Sequence, residues 1–169
     1  MRLYLIGFMA SGKSWLGKEL ALASGLDFID TDELFEERYR ITILDFFSKY
    51  SEGLFRAFEQ EILRETASLE NTIISTGGGI PCFFDNMDFI LASGQSIYLR
   101  MQAHELVTRI KGIKKQRPLL KEIDPSNMES AITNKLKERE PYYLRANYVF
   151  DGPDYPLEEI LSMLQLNRK

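Results

Sequence analysis

The tightest constraint on this chain is a run of eight residues, Gly7-Phe8-Met9-Ala10-Ser11-Gly12-Lys13-Ser14, set between the apolar Leu3-Tyr4-Leu5-Ile6 and a helical pattern over 15–22. The spacing G-x-x-x-x-G-K-S is that of a phosphate-binding P-loop. Its glycines let the backbone curl until successive N–H groups point at a phosphate chain, and the positive end of the next helix adds to the pull. Gly7, Ala10, Ser11, Gly12, Lys13, Ser14 and Trp15 are therefore candidates for nucleotide contact. Lys13 is expected against the β and γ phosphates of ATP, and the Ser14 hydroxyl on Mg²⁺.

Apolar runs recur at 3–6, 28–29, 72–75, 96–99 and 148–150, with helix-length stretches between them. That rhythm predicts an α/β fold: three αβα layers around a five-stranded parallel sheet, as in P-loop nucleoside-triphosphate hydrolases and nucleoside monophosphate kinases. Two helices are expected within 31–69, with Phe55, Phe58, Ile62 and Leu69 on one stripe and Arg56, Glu59 and Gln60 on another face. A helix after the fourth run carries Leu106 and Ile110 inward and Arg109 near its end. Ser126-Asn127-Met128-Glu129 reads as a capping box ahead of a helix with Met128, Ala131, Ile132 and Leu136 toward the core. A last helix is expected over about 156–166.

The 169 residues suit one domain with a core of its own. A net charge of −4 argues against a protein that neutralises the phosphates of a nucleic-acid duplex. Charge is uneven, however. Residues 111–124 hold Lys111, Lys114, Lys115, Arg117 and Lys121 against Glu122 and Asp124, giving +3 where the remainder carries −7. Long, basic and without periodicity, this segment is expected to be a lid over phosphates. Cys82 is the only cysteine and His104 the only histidine, so neither an internal disulfide nor a histidine-rich metal site is expected, and both are read as ordinary packed or surface residues. No apolar run reaches the length of a membrane span. Arg2 followed by the apolar 3–10 has the look of a short signal region, but cleavage after Ala10 would discard half the P-loop, so a cytoplasmic location is expected.

Neighbouring chemistry narrows the class. A guanine-reading Asn-Lys-x-Asp is approached only by Asn134-Lys135-Leu136-Lys137, which lacks the acid. No Walker-B Asp closes the run at 72–75, where the chain continues Thr76-Gly77-Gly78-Gly79 and offers a surface free of side chains for close approach. The second run ends in Asp30-Thr31-Asp32, at the edge where open α/β sheets bind ligands. One carboxylate there is suited to holding Mg²⁺ through water and the other to orienting an attacking hydroxyl, while capping the next helix is the plainer use of either.

Taken together, these anchors closely resemble the shikimate kinase family. The resemblance is carried by the P-loop, by Asp30-Thr31-Asp32, by Phe55-Arg56-x-x-Glu59, by Gly77-Gly78-Gly79, by Arg117-Pro118-Leu119-Leu120 and by Arg139-x-x-x-Tyr143-x-x-x-Asn147, in order and at the family's spacing. It implies ATP-dependent phosphorylation of shikimate at its 3-hydroxyl, with Asp32 on the reacting hydroxyl, Asp30 helping to place Mg²⁺, and Lys13 and Arg117 as further catalytic groups. It also implies Arg56 and Arg139 on the substrate carboxylate, Gly77, Gly78 and Gly79 beside the substrate, and Arg109 and Arg117 at the nucleotide. The substrate-binding helical region falls at about 31–62, and the protein is expected to act as a monomer. Two departures stand out: Ser51 precedes Glu52 where the family has glycine, and Ala10 replaces a usual P-loop glycine, a change expected to stiffen the loop slightly. Another small-molecule kinase of the gluconate or nucleotide type, and a nucleotide-binding regulator, are the alternatives. Chemistry favours the acid, because a guanidinium fork matches a carboxylate in bidentate geometry.

Lys13 places charge on a loop and fills no core. Lys13→Ala should therefore abolish phosphoryl transfer and leave the circular dichroism spectrum unchanged. More than about a tenth of wild-type turnover would sink the P-loop assignment.

Overall fold

The structure, a computed structural model, describes residues 1–112 and 123–166. Strands β1 (Arg2–Ile6), β2 (Asp27–Asp30), β3 (Thr72–Ser75), β4 (Gln95–Arg100) and β5 (Tyr148–Asp151) pair in parallel in the order β2-β3-β1-β4-β5. Every strand expected from the apolar runs is present. Helices α1 (Lys13–Ser24), α2 (Thr31–Tyr39), α3 (Ile43–Lys49), α4 (Glu52–Glu65), α5 (Asn86–Ser93), α6 (Ala103–Gly112), α7 (Met128–Tyr143) and α8 (Leu157–Met163) supply the outer layers. Among the described residues no helix is long and apolar enough to cross a membrane.

Alternation along β1 explains the layering, since successive strand side chains point to opposite faces. Leu3 and Leu5 join Leu16 and Leu20 of α1, Leu106 and Ile110 of α6, Ile132 of α7 and Ile160 of α8 on one side. Tyr4 and Ile6 join Leu63 of α4, Met87 and Ile90 of α5, and Tyr143 of α7 on the other. A third cluster, Phe35, Ile43, Phe46, Phe55 and Ile62, packs α2, α3 and α4 together beyond the sheet. In it the Phe35 ring meets Phe55 and Phe46 edge-on, at centroid distances of 4.9 and 5.2 Å.

Three helical expectations change. Residues 31–69 hold three α-helices, because Arg40 turns left-handed at φ 52° to end α2, and the side chains of Thr42 and Ser51 then cap α3 and α4. Leu69 falls beyond α4, past a 3₁₀ turn at Thr66–Ser68. The capping box at 126–129 does not form. Asp124 Oδ1 instead accepts from the Ser126 N–H at 2.8 Å and from its hydroxyl at 2.7 Å, a 3₁₀ turn covers Pro125–Asn127, and α7 starts at Met128 without a side-chain cap. The last helix is shorter than expected, with Pro156 just outside its start.

The P-loop curls as its glycines suggested, with Gly7 at φ 143° and Gly12 at φ 99°. Ala10 joins them at φ 63°, which gives a structural reason for the glycine usual there. A left-handed L-residue costs roughly 1–2 kcal/mol. Ala10→Gly removes that cost while loosening the unfolded chain, so unfolding free energy should rise by a few tenths to about 1 kcal/mol in urea titrations. A loss of more than about 1 kcal/mol would mean the loop does not strain this residue.

Candidate active site

Parallel strands deliver the P-loop, Asp30-Thr31-Asp32 and the Gly77-Gly78-Gly79 turn to one edge of the sheet, where β3 lies between β1 and β2. A cleft of about 1540 Å³ runs along that edge, lined by Lys13, Ser14 and Arg109 toward one end and by Arg56, Glu59 and Arg139 toward the other.

At the P-loop end, Lys13 is 8% exposed and its ammonium donates to the carbonyls of Gly7 at 3.0 Å and Phe8 at 2.8 Å. These contacts aim the charge across the loop's concave side. Trp15 stands at the rim, exposed. Arg109 donates to the Pro153 carbonyl at 2.9 Å and lies 3.1 Å from where a Cβ on Gly12 would sit, so it borders the loop from α6. Gly12 and Ala10 line the cleft, whereas Gly7 and Ser11 are buried behind it.

Beside the loop, the Ser14 hydroxyl donates to Asp30 Oδ2 at 2.5 Å and lies 3.4 Å from the Ser75 hydroxyl. Asp30 Oδ1 accepts from the Asp32 N–H at 2.9 Å, which makes it the N-cap of α2 as well. Of the uses weighed for this pair, helix capping falls on Asp30. A corner of hard oxygens suits Mg²⁺, which keeps several waters and takes only one or two carboxylates plus phosphate oxygens. Among the described residues no group of three or more His, Cys, Asp or Glu side chains is placed to hold a metal ion.

Arg56 dominates the other end. Its Nη1 donates to Glu59 Oε2 at 2.5 Å, its Nη2 and Nε to Glu52 Oε1 at 2.8 and 3.2 Å, and its guanidinium sits 4.2 Å from the Phe83 ring centroid. Burial opposes its charge, but Glu59 and Glu52 outweigh that and hold its pKa up. Glu59 is pushed up to about 7, chiefly by burial and further by Asp32, against the pull of Arg56 and Arg139. Asp32 Oδ1 and Glu59 Oε1 lie 2.7 and 2.9 Å from the point where a Gly77 Cβ would be, so the two carboxylates flank that glycine. Arg139, on α7, lies over the Phe8 ring at 5.4 Å. Four residues later Tyr143, fully buried, donates its hydroxyl to the Gly78 carbonyl at 2.5 Å.

Cys82 lines the cleft near these groups, but burial raises its thiol to about 11, so it stays protonated and unreactive, as a packed cysteine would. His104 is exposed on α6, away from the cleft lining. Gly77 is buried behind the cleft surface that Gly78 and Gly79 form. Arg117 and most of the expected lid, residues 113–122, lie outside the described residues. Glu52, Glu59, Phe83 and Tyr143 join the site beyond the residues expected there. For Glu59 and Tyr143 the signal was present, one three residues after Arg56 and the other four after Arg139; for Phe83 there was none.

A family model described as shikimate kinase matches residues 9–165. A shikimate kinase of Parabacteroides distasonis is 43% identical over 151 residues, covering 89% of this chain and 87% of that protein. The crystal structure of shikimate kinase from Bacteroides thetaiotaomicron superimposes with a TM-score of 0.92 at 34% identity, over 98% of this chain and 99% of that one. Shikimate kinase from Acinetobacter baumannii in complex with shikimate gives 0.87 at 30% identity, over 97% and 90%. With the P-loop, the Asp30–Asp32 edge and the two arginines converging on one cleft, and with the family's model covering nearly the whole length, the chain belongs to the shikimate kinase family.

Proposed function

We propose that this cleft holds ATP and Mg²⁺ at its P-loop end and shikimate at its arginine end, and transfers the γ-phosphoryl group to the 3-hydroxyl of shikimate. One observation carries the assignment of ends: two guanidinium groups and a carboxylate, Arg56, Arg139 and Asp32, line the same cleft as Lys13 and Ser14. A small polyol acid fits there, because the arginines take its carboxylate and fix which hydroxyl faces Asp32. Asp32 orients that hydroxyl and accepts its proton as the oxygen attacks phosphorus and the bond to the bridging β–γ oxygen breaks. Lys13 exchanges its two carbonyl partners for phosphate oxygens and neutralises charge as it spreads over them. Ser14 and Asp30 would hold Mg²⁺, which would offset the negative charge of the phosphate groups. Arg117 is assigned a similar neutralising role, and the segment 111–124 the part of a lid, from their charge and their match to the family pattern. Arg109 is assigned to the nucleotide base side. The chain is read as one domain acting as a monomer in the cytoplasm.

Selection of an acid is the sharpest consequence. Lysine keeps the charge but loses the fork, so Arg56→Lys and Arg139→Lys should each lower kcat/KM for shikimate about 10- to 150-fold with KM for ATP nearly unchanged. Steady-state kinetics with shikimate and its carboxamide provide the check. Equal use of acid and carboxamide by the wild type would remove the carboxylate clamp.

Glu59 adds a pH signature. Its pKa is about 7 when folded and near 4.5 otherwise, so the folded state holds the proton more tightly. Its contribution to stability is therefore full below the lower value and is lost as pH rises through the upper one. Glu59→Gln should flatten the stability profile across about pH 5–8 in urea unfolding. A profile still parallel to wild type would place the slope on another group.

A further inference from the structure

Tyr155 belongs to no motif in the sequence and follows β5, yet its hydroxyl reaches back across 144 residues to the P-loop. It donates to the Ser11 carbonyl at 2.8 Å, from a ring that is 7% exposed and packed in the same core cluster as Leu16 and Leu106. Burial raises its pKa, so the hydroxyl stays a donor. Helix α1 leaves this carbonyl to it, because the helix's first bond runs from the Leu16 N–H to the Gly12 carbonyl at 2.9 Å.

Peptide planarity carries the effect one residue further. In a trans peptide the C=O and the next N–H point in opposite directions. A Ser11 carbonyl held outward against Tyr155 therefore turns the Gly12 N–H away from Tyr155, at a residue that lines the cleft. That N–H has no hydrogen-bond partner among the described residues. It stands at the N-cap of α1, where unpaired donors and the helix dipole favour an anion. Gly12, at φ 99°, has the freedom to let this peptide turn over, so local sequence alone does not hold it. Tyr155 also closes the space behind: its Cε2 lies 3.5 Å from where a Gly12 Cβ would sit.

We propose that Tyr155 is a positioning residue for phosphoryl transfer, its hydroxyl locking the Ser11–Gly12 peptide so that the Gly12 N–H faces the nucleotide's phosphate chain before the nucleotide arrives. The proposal rests on the nucleotide reading given above. Arg109 is held on the same support, through the Pro153 carbonyl two residues before Tyr155.

Tyr155→Phe removes the hydroxyl and keeps the ring. Dissociation constants for ADP and for adenosine, measured by calorimetry and by NMR titration, separate the phosphate contact from the rest. ADP binding should weaken roughly 5- to 20-fold, adenosine binding should change less than about twofold, and KM for shikimate should stay put. A role in packing alone would lower the melting temperature and leave the ratio of ADP to adenosine affinity unmoved. Unchanged ADP affinity, or an equal loss for both ligands, overturns the proposal. A wild type that binds no ADP overturns the nucleotide reading itself. Should the variant prove unstable, the Gly12 amide resonance of labelled wild type decides: it should shift on adding inorganic pyrophosphate, and an unmoved resonance counts against the lock.

Discussion

The cleft is organised by one buried carboxylate. Asp30 closes β2 opposite Ser75 of β3 and is 7% exposed, so its charge needs close partners to offset lost hydration. It finds them on two different elements, the Ser14 hydroxyl through Oδ2 and the Asp32 N–H through Oδ1. The first bond registers the start of α1 against the sheet; the second starts α2 and sets where Asp32 leaves the backbone. Helix capping and the contact to Ser14 are compatible because they use different oxygens of the same group. The starts of α1 and α2 are thereby referenced to a common point.

Arg56 meets the opposite physical problem, a cation taken out of water. Its side chain is 9% exposed and that of Glu59 6%, and a buried pair of this kind is seldom more stable than well-packed apolar residues. Its value lies in presentation. Glu52, with a side chain 57% exposed, holds the Nε edge, Glu59 holds Nη1, and Phe83 backs the plane, so the guanidinium has little conformational freedom left. The Phe35, Phe46 and Phe55 cluster fixes α4, and with it the direction in which Arg56 points.

What was legible in the sequence follows from the range of the signals. The P-loop, the Asp30–Asp32 edge and the five strands are encoded within windows of a few residues, and all appear where expected. Helix division within 31–69 was missed because Arg40 breaks α2 by a left-handed turn that a non-glycine residue does not advertise. The box at 126–129 was misread because Asp124, two residues upstream, takes the Ser126 hydroxyl for itself. Tyr155 was invisible for a different reason: a bond spanning 144 residues leaves no local pattern at either end. Arg56 and Glu59 were placed on one face of α4, with Arg56 assigned to the acid; what no local pattern shows is that Phe83 and Gly79 lie against the Arg56 guanidinium and Gly77 beside Glu59, all from another connection.

The Gly77-Gly78-Gly79 turn shows how the two ends are kept in one frame. A Cβ on Gly79 would collide with the Arg56 guanidinium, and one on Gly78 would stand 3.2 Å from the Met9 nitrogen and 3.3 Å from the Gly7 carbonyl. Arg56 and the P-loop thus press on successive residues of one turn, and side chains there would push them apart. Tyr143 ties the Gly78 carbonyl to α7, the helix that carries Arg139. Backbone contact through this turn therefore fixes the spacing between the P-loop and the two arginines, Arg56 and Arg139. In-line transfer demands that spacing to within a fraction of an ångström. Glycines serve here as spacers of zero thickness, which explains why the chain spends three in succession on a segment that carries no reactive side chain of its own.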